Sequence, residues 1–156
     1  MTIASTLSYV VLAITATVLL YAAIIDVREF QIPNAFIIIL ICLFAAHTWL
    51  SGGWTQFPLN LAFAVFMFLV LLFFYARNWL GGGDVKILTV AFLWVGTHYA
   101  LMFAIFLAVF SCVYLLGARL GWLRVQKISG RSRIPFAPSV AVALIVTFAV
   151  AARWAL

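Results

Sequence analysis

Long apolar runs broken by short polar stretches organise this chain. The first run, Ile3 to Ile25, carries no charge, and a run of about 20 such residues is long enough to cross a bilayer. A polar stretch, Asp26 to Gln31, ends it. Pro33 has no backbone N–H and biases Ile32 away from helix. Asn34 is a favourable N-cap for a second segment, Ala35 to Leu50. The uncharged, turn-rich Ser51–Gln56 stretch leads to a third segment, Pro58 to Ala76, with Pro58 acceptable in a first helical turn. Arg77-Asn78-Trp79-Leu80 then precedes Gly81-Gly82-Gly83-Asp84. The next apolar stretch, Val85 to Val95, contains Lys86. At about 1.5 Å per residue it is too short to cross a core ~30 Å thick. It is therefore either a partial span or one that begins below the membrane surface. Gly96-Thr97-His98 reads as a tight turn. A fifth segment runs from Tyr99 to Ala118, a basic loop follows, and Ile134-Pro135-Phe136-Ala137-Pro138 opens a last segment ending near Ala152. The pattern predicts an all-α membrane protein with about six transmembrane helices, the fourth short. They form one integral-membrane domain over residues 1–156.

Composition agrees. The chain is 69% hydrophobic and 8% charged, with a mean hydropathy of +1.29, whereas soluble domains carry about 25% charged residues. A net charge of +6 would suit nucleic acid in a soluble protein. Here the bases sit in short loops, where topology accounts for them, so the bilayer is the expected partner and nucleic acid is not. Asp26–Pro33, Arg77–Lys86 and Arg119–Arg133 contain every Lys and Arg except Arg153. Six segments put these three loops on one side, which the positive-inside rule makes cytoplasmic. Both termini are then non-cytoplasmic. The first run has no Lys or Arg before Arg28, so it reads as a retained helix rather than a signal peptide. Cys42 and Cys112 lack CxxC spacing and read as small buried hydrophobes. His47 and His98 read as interfacial polar residues rather than a metal pair. Most tryptophans lie near segment ends, as in an aromatic belt.

The whole chain has three carboxylate side chains, Asp26, Glu29 and Asp84. An acid at the edge of a membrane segment is costly and usually has a task. The bland alternatives are an interfacial acid balanced by Arg28 for Asp26, and a helix N-cap for Asp84. The glycines before Asp84 permit close approach by another backbone. Irregular backbone near membrane depth is tolerated where protein buries it or a wet cavity is lined by it. Two neighbouring carboxylates do not both ionise easily, so one retains a proton. The charged partner then takes a proton from water, and the protonated one hydrogen-bonds the carbonyl under attack. This is aspartic-protease chemistry and calls for no cofactor or metal. Lys86 reads as snorkelling to the interface. A small transporter or channel also places acids in membranes, and a scaffold would use them for assembly.

Asp26, Ile32-Pro33-Asn34 and Gly81-Gly82-Gly83-Asp84-Val85-Lys86 together resemble the type IV prepilin peptidases, membrane aspartic proteases with a GxGD signature. Pro135-Phe136-Ala137-Pro138 resembles that family's proline-containing segment before the last helix. The resemblance implies that Asp26 and Asp84 are catalytic. It makes Pro33, Asn34, Gly81, Gly82, Gly83, Lys86, Pro135 and Pro138 supporting motif positions. It implies a prepilin or pseudopilin substrate, cut at the cytoplasmic face of the inner membrane just before its hydrophobic helix. Larger members add a cytoplasmic domain with paired CxxC motifs and N-methylate the new terminus. This chain has neither, so methyltransferase activity is not expected. The compact form resembles most the peptidases of Flp-type, tight-adherence pili; archaeal preflagellin peptidases share the motifs.

Overall fold

The computed structural model describes residues 3–29, 31–120, 126–128, 131–133 and 135–154. Its elements are α1 (Ile3–Glu29), α2 (Asn34–Ser51), a single 3-10 turn (Gly53–Thr55), α3 (Phe57–Ala76), α4 (Gly82–Arg119), β1 (Gln126–Ile128), β2 (Arg131–Arg133) and α5 (Ala137–Trp154). Among the described residues, α1 to α4 are each long and apolar enough to cross a membrane, and the apolar part of α5, Ala137–Ala152, is shorter. The protein is a helical, multi-pass membrane protein.

The predicted fourth and fifth segments are both present, as two helical arms of α4 that meet at a single non-helical residue. Gly96 has φ 57° and ψ −165°, a conformation open almost only to glycine. The Phe92 and Phe103 rings lie 5.4 Å apart. Eleven residues of straight helix would separate their Cα atoms by about 16 Å, so α4 folds back on itself at Gly96. Thr97 and His98, expected in the turn, are already helical.

The first arm of α4 is the centre of the molecule. Val85, Ile87, Leu88 and the whole run Val90–Gly96 are buried. A helix this short and apolar all round is stable because protein rather than lipid surrounds it. α4 packs mainly on α3 and α5, and α1 on α2 and α5. On α5, Ala137, Val140, Ala141, Ala143 and Leu144 are fully buried, and the small alanines among them let helix backbones approach closely. α2 turns Leu40, Phe44 and Thr48 inward, the i, i+4, i+8 stripe of one helix face. Trp94, unlike the exposed Trp49, Trp54 and Trp79, is not part of a belt. Its indole Nε1 donates to the Leu40 carbonyl at 3.1 Å, closing the polar end of a buried ring.

Three local expectations change. α1 continues to Glu29, so Asp26 lies in its last turn rather than after it. The N-cap of α2 is Pro33, with no side-chain cap bond. Asn34 instead turns its side chain to another helix. Cys42 and Cys112 are exposed on the bundle surface, where a membrane offers apolar surroundings without burial in protein.

The basic loop contains a two-stranded antiparallel ribbon that was not expected, with Lys127 opposite Ser132. Gly121–Val125 and Ile134, including Arg124, lie outside the described residues. The start of α1 and the end of α5 share the opposite end of the bundle. There Ser8, His47, Trp94 and Ala151 line one cavity of about 710 Å³.

Candidate active site

Asp26 is the buried carboxylate of the three; its residue is 5% exposed, while Asp84 is half-buried and Glu29 exposed. The chain brings a partner to it from far away in sequence. Asp26 Oδ2 accepts a hydrogen bond from the Ala137 backbone N–H at 3.0 Å, and the Phe136 amide stands beside it. Pro135 and Pro138 have no N–H to give, so Phe136 and Ala137 are the only backbone donors in Pro135–Pro138. The proline-flanked segment thus presents two amides, at the N-terminus of α5, to one carboxylate. A helix N-terminus favours an anion, whereas the C-terminal turn of α1 disfavours it. The α5 terminus offsets the unfavourable position Asp26 has on its own helix.

Asp84 occupies the third position of α4 rather than its N-cap; the N-cap is Gly81. The reason is a reach-back. Asp84 Oδ2 accepts from the Gly81 N–H at 3.2 Å, which satisfies one of the donors left open at a helix start. This explains the glycine more than flexibility does. Gly81 has φ −77° and ψ 149°, open to any residue, but a β-carbon there would stand 2.9 Å from Asp84 Oδ2. The carboxylate occupies the space that a side chain would fill.

The two acids stand at the same end of the bundle. Ile32, in the link after α1, faces Gly83, where a β-carbon would meet it at 3.8 Å. Lys86 Nζ donates to Asn34 Oδ1 at 2.9 Å, tying the first turn of α4 to the first turn of α2. Lys86 is therefore held by a specific partner rather than simply extended to the interface. Pro33 caps α2, and Gly82 lies against the Tyr75 ring, which a β-carbon would contact at 3.5 Å. Asp26 is held through α5 and Asp84 through its own α4 turn, so the supporting shell of each acid differs.

Two features escaped the sequence. The amides of Phe136 and Ala137 serve Asp26 through the backbone, and only the flanking prolines signal it. Tyr114, on the second arm of α4, shares a groove with Pro138 and Ser139, the residues that directly follow Ala137, the donor to Asp26. Nothing in a lone tyrosine within an apolar run marks that, because the fold at Gly96 is what returns it to this end.

Residues 13–118 match the type IV leader peptidase family. The matched stretch includes Asp26, Pro33, Asn34, the glycine run, Asp84 and Lys86, and stops short of Pro135–Pro138. No curated protein and no solved structure matches the chain. With well over half of its length matched, buried Asp26 included, the chain belongs to the type IV leader peptidase family.

Proposed function

We propose that this protein is a membrane-embedded aspartic endopeptidase that removes the short leader of Flp-type prepilins or pseudopilins. Asp26 and Asp84 are its catalytic pair. The observation that carries the reading is the setting of Asp26: an acid in a helix turn that disfavours it, buried, and met by a backbone amide from residue 137. The family supplies the protease class and prepilin-type substrates.

In this reading the two carboxylates share one proton and titrate as a pair. The charged carboxylate takes a proton from a water whose oxygen attacks the scissile carbonyl carbon. The protonated carboxyl gives its proton to the carbonyl oxygen. Collapse of the resulting diol breaks the C–N bond, and the amine leaves with a proton returned from the pair. General acid–base assistance of this kind contributes about 10²–10⁴-fold. Six helical rods, counting the two arms of α4 separately, then make up the membrane domain, with the short first arm of α4 enclosed by the others. The end bearing Arg28, Arg77, Lys86 and Arg119 faces the cytoplasm by the positive-inside rule, with both termini outside. We place the protein in the inner membrane.

The transporter reading is weaker. It asks for acids near the bilayer middle, whereas Asp26 lies in the last turn of α1 and Asp84 in the first turn of α4. The hydroxyls of Thr15, Thr17, Thr48, Thr89 and Thr147 each bond a carbonyl four residues back on their own helix instead of lining a crossing path.

The test is co-expression of the full chain with a Flp-type prepilin, followed by the mass of the pilin. Loss of the leader at the junction with the apolar helix is the expected result. An unprocessed pilin, across several such substrates and with the enzyme present in the membrane, would refute the reading.

A further inference from the structure

The second arm of α4 and the first turns of α5 leave a groove between them that opens to the surrounding bilayer. Its volume is about 440 Å³. Val113, Tyr114 and Gly117 form one wall, and Pro138, Ser139 and Val142 the other. Each set lies on one helix face by its spacing of three to four residues, so the groove follows the helices rather than crossing them.

Three observations say what fits. The groove is continuous with the acid: Pro138 and Ser139 directly follow Ala137, whose N–H holds Asp26. Tyr114 stands on the wall facing Pro138 and Ser139. The lining is apolar apart from the Tyr114 and Ser139 hydroxyls. Finally, Gly117 presents no side chain, and small residues are what allow one membrane helix to approach another closely. A second groove lies on the other side of α5, lined by Leu20, Ala23 and Val27 and sharing Pro138 and Val142. It lacks both the tyrosine and the glycine.

We propose that the groove between the second arm of α4 and the start of α5 seats the apolar helix of the substrate, so that the bond before that helix is delivered to Asp26. The proposal rests on the leader-peptidase reading above. The substrate is anchored in the same bilayer as the enzyme, and its helix must lie beside the enzyme while its cleavage junction reaches the carboxylate. Both grooves border Asp26, the second through Val27; the one with Gly117 in its wall is the one that lets another helix approach closely. The occupant is a transmembrane helix, and a lipid chain is the competing occupant that the experiment separates.

Val113 and Leu20 are 61% and 49% exposed, so a larger side chain at either is accommodated without opening the core. Val113→Trp fills the proposed groove, Leu20→Trp fills the other one, and Leu115→Trp places the same bulk on the second arm of α4 outside either groove. Each full-length variant, in nanodiscs, is assayed on an intact prepilin and on a peptide carrying the leader and junction without the helix. Thermal unfolding checks the fold. Val113→Trp is expected to raise KM for the intact prepilin about tenfold and to leave the short peptide unaffected; the other two variants match wild type on both. Equal effects of all three variants, or equal loss on both substrates, overturn the proposal, as does a normal KM in Val113→Trp. A wild-type enzyme that cleaves neither substrate removes the leader-peptidase reading itself, which separates the two failures. If Val113→Trp folds poorly, a photo-crosslinking residue at position 113 in an Asp84→Asn background gives the same answer. A crosslink to the pilin helix supports the proposal, and crosslinks to lipid alone overturn it.

Discussion

Replacing Gly96 by alanine distinguishes a folded α4 from a straight one by the sign of the change. In a continuous helix, glycine is about 0.8–1.0 kcal/mol worse than alanine, so Gly96→Ala would stabilise. In this structure Gly96 has φ 57° and ψ −165°, which costs a residue with a β-carbon about 1–3 kcal/mol. The added carbon would also overlap the Asn60 side-chain amide, and overpacking of this kind costs about 1–3 kcal/mol more. The expected loss is about 2–6 kcal/mol, a large part of a total stability of ~5–15 kcal/mol. Asn60→Ala in the same molecule should restore the packing part and leave the backbone part, a coupling that a double-mutant cycle reads directly. Thermal unfolding in detergent, followed by intrinsic tryptophan fluorescence, is the assay. Stabilisation by Gly96→Ala, or no coupling to Asn60, would refute the reversal at Gly96 and with it the return of Tyr114 to the Asp26 end.

Gly81→Ala should fold, because its backbone is open to any residue, but the β-carbon displaces the Asp84 carboxylate; prepilin cleavage should fall at least tenfold while the unfolding temperature changes little. Asp26→Ala should lower stability by about 1–3 kcal/mol, because it strands the Ala137 N–H in a buried site, whereas Asp26→Asn keeps an acceptor and should cost ~1 kcal/mol or less in the same unfolding assay. Trp94→Phe should cost about 1 kcal/mol through the lost bond to the Leu40 carbonyl, and an unchanged unfolding midpoint would show that the indole has no role in joining α4 to α2.

Much of the helical pattern was legible because a membrane imposes long apolar runs, and Pro33, Pro58 and Gly96 punctuate them where elements begin or turn. The fourth segment reads as short, a partial span or one starting below the membrane surface; that protein encloses it is visible only in the packing. The two aspartates stood out against a background almost free of acids. What the sequence left open depended on contacts across long separations. The bond from residue 137 to Asp26 involves a backbone amide, which has no residue identity to read. Asn34 looked like an N-cap because local spacing favours it, but Lys86, far along the chain, claims its oxygen. Asp84 looked like a cap for the same local reason, and its reach-back to Gly81 moves the cap three residues earlier. Cys42 and Cys112 read as buried in the sequence, because hydrophobicity does not distinguish a core from a lipid-facing surface. The ribbon at Gln126–Arg133 lies among basic residues that fit a loop equally well.

The most direct test of the two-aspartate account uses purified full-length protein with a Flp-type prepilin and follows leader removal by mass, with wild type beside Asp26→Asn and Asp84→Asn at matched abundance and matched unfolding temperature. The account predicts cleavage by wild type and a loss of about 10²-fold or more in each single variant. Cleavage at the wild-type rate by either folded variant would contradict it.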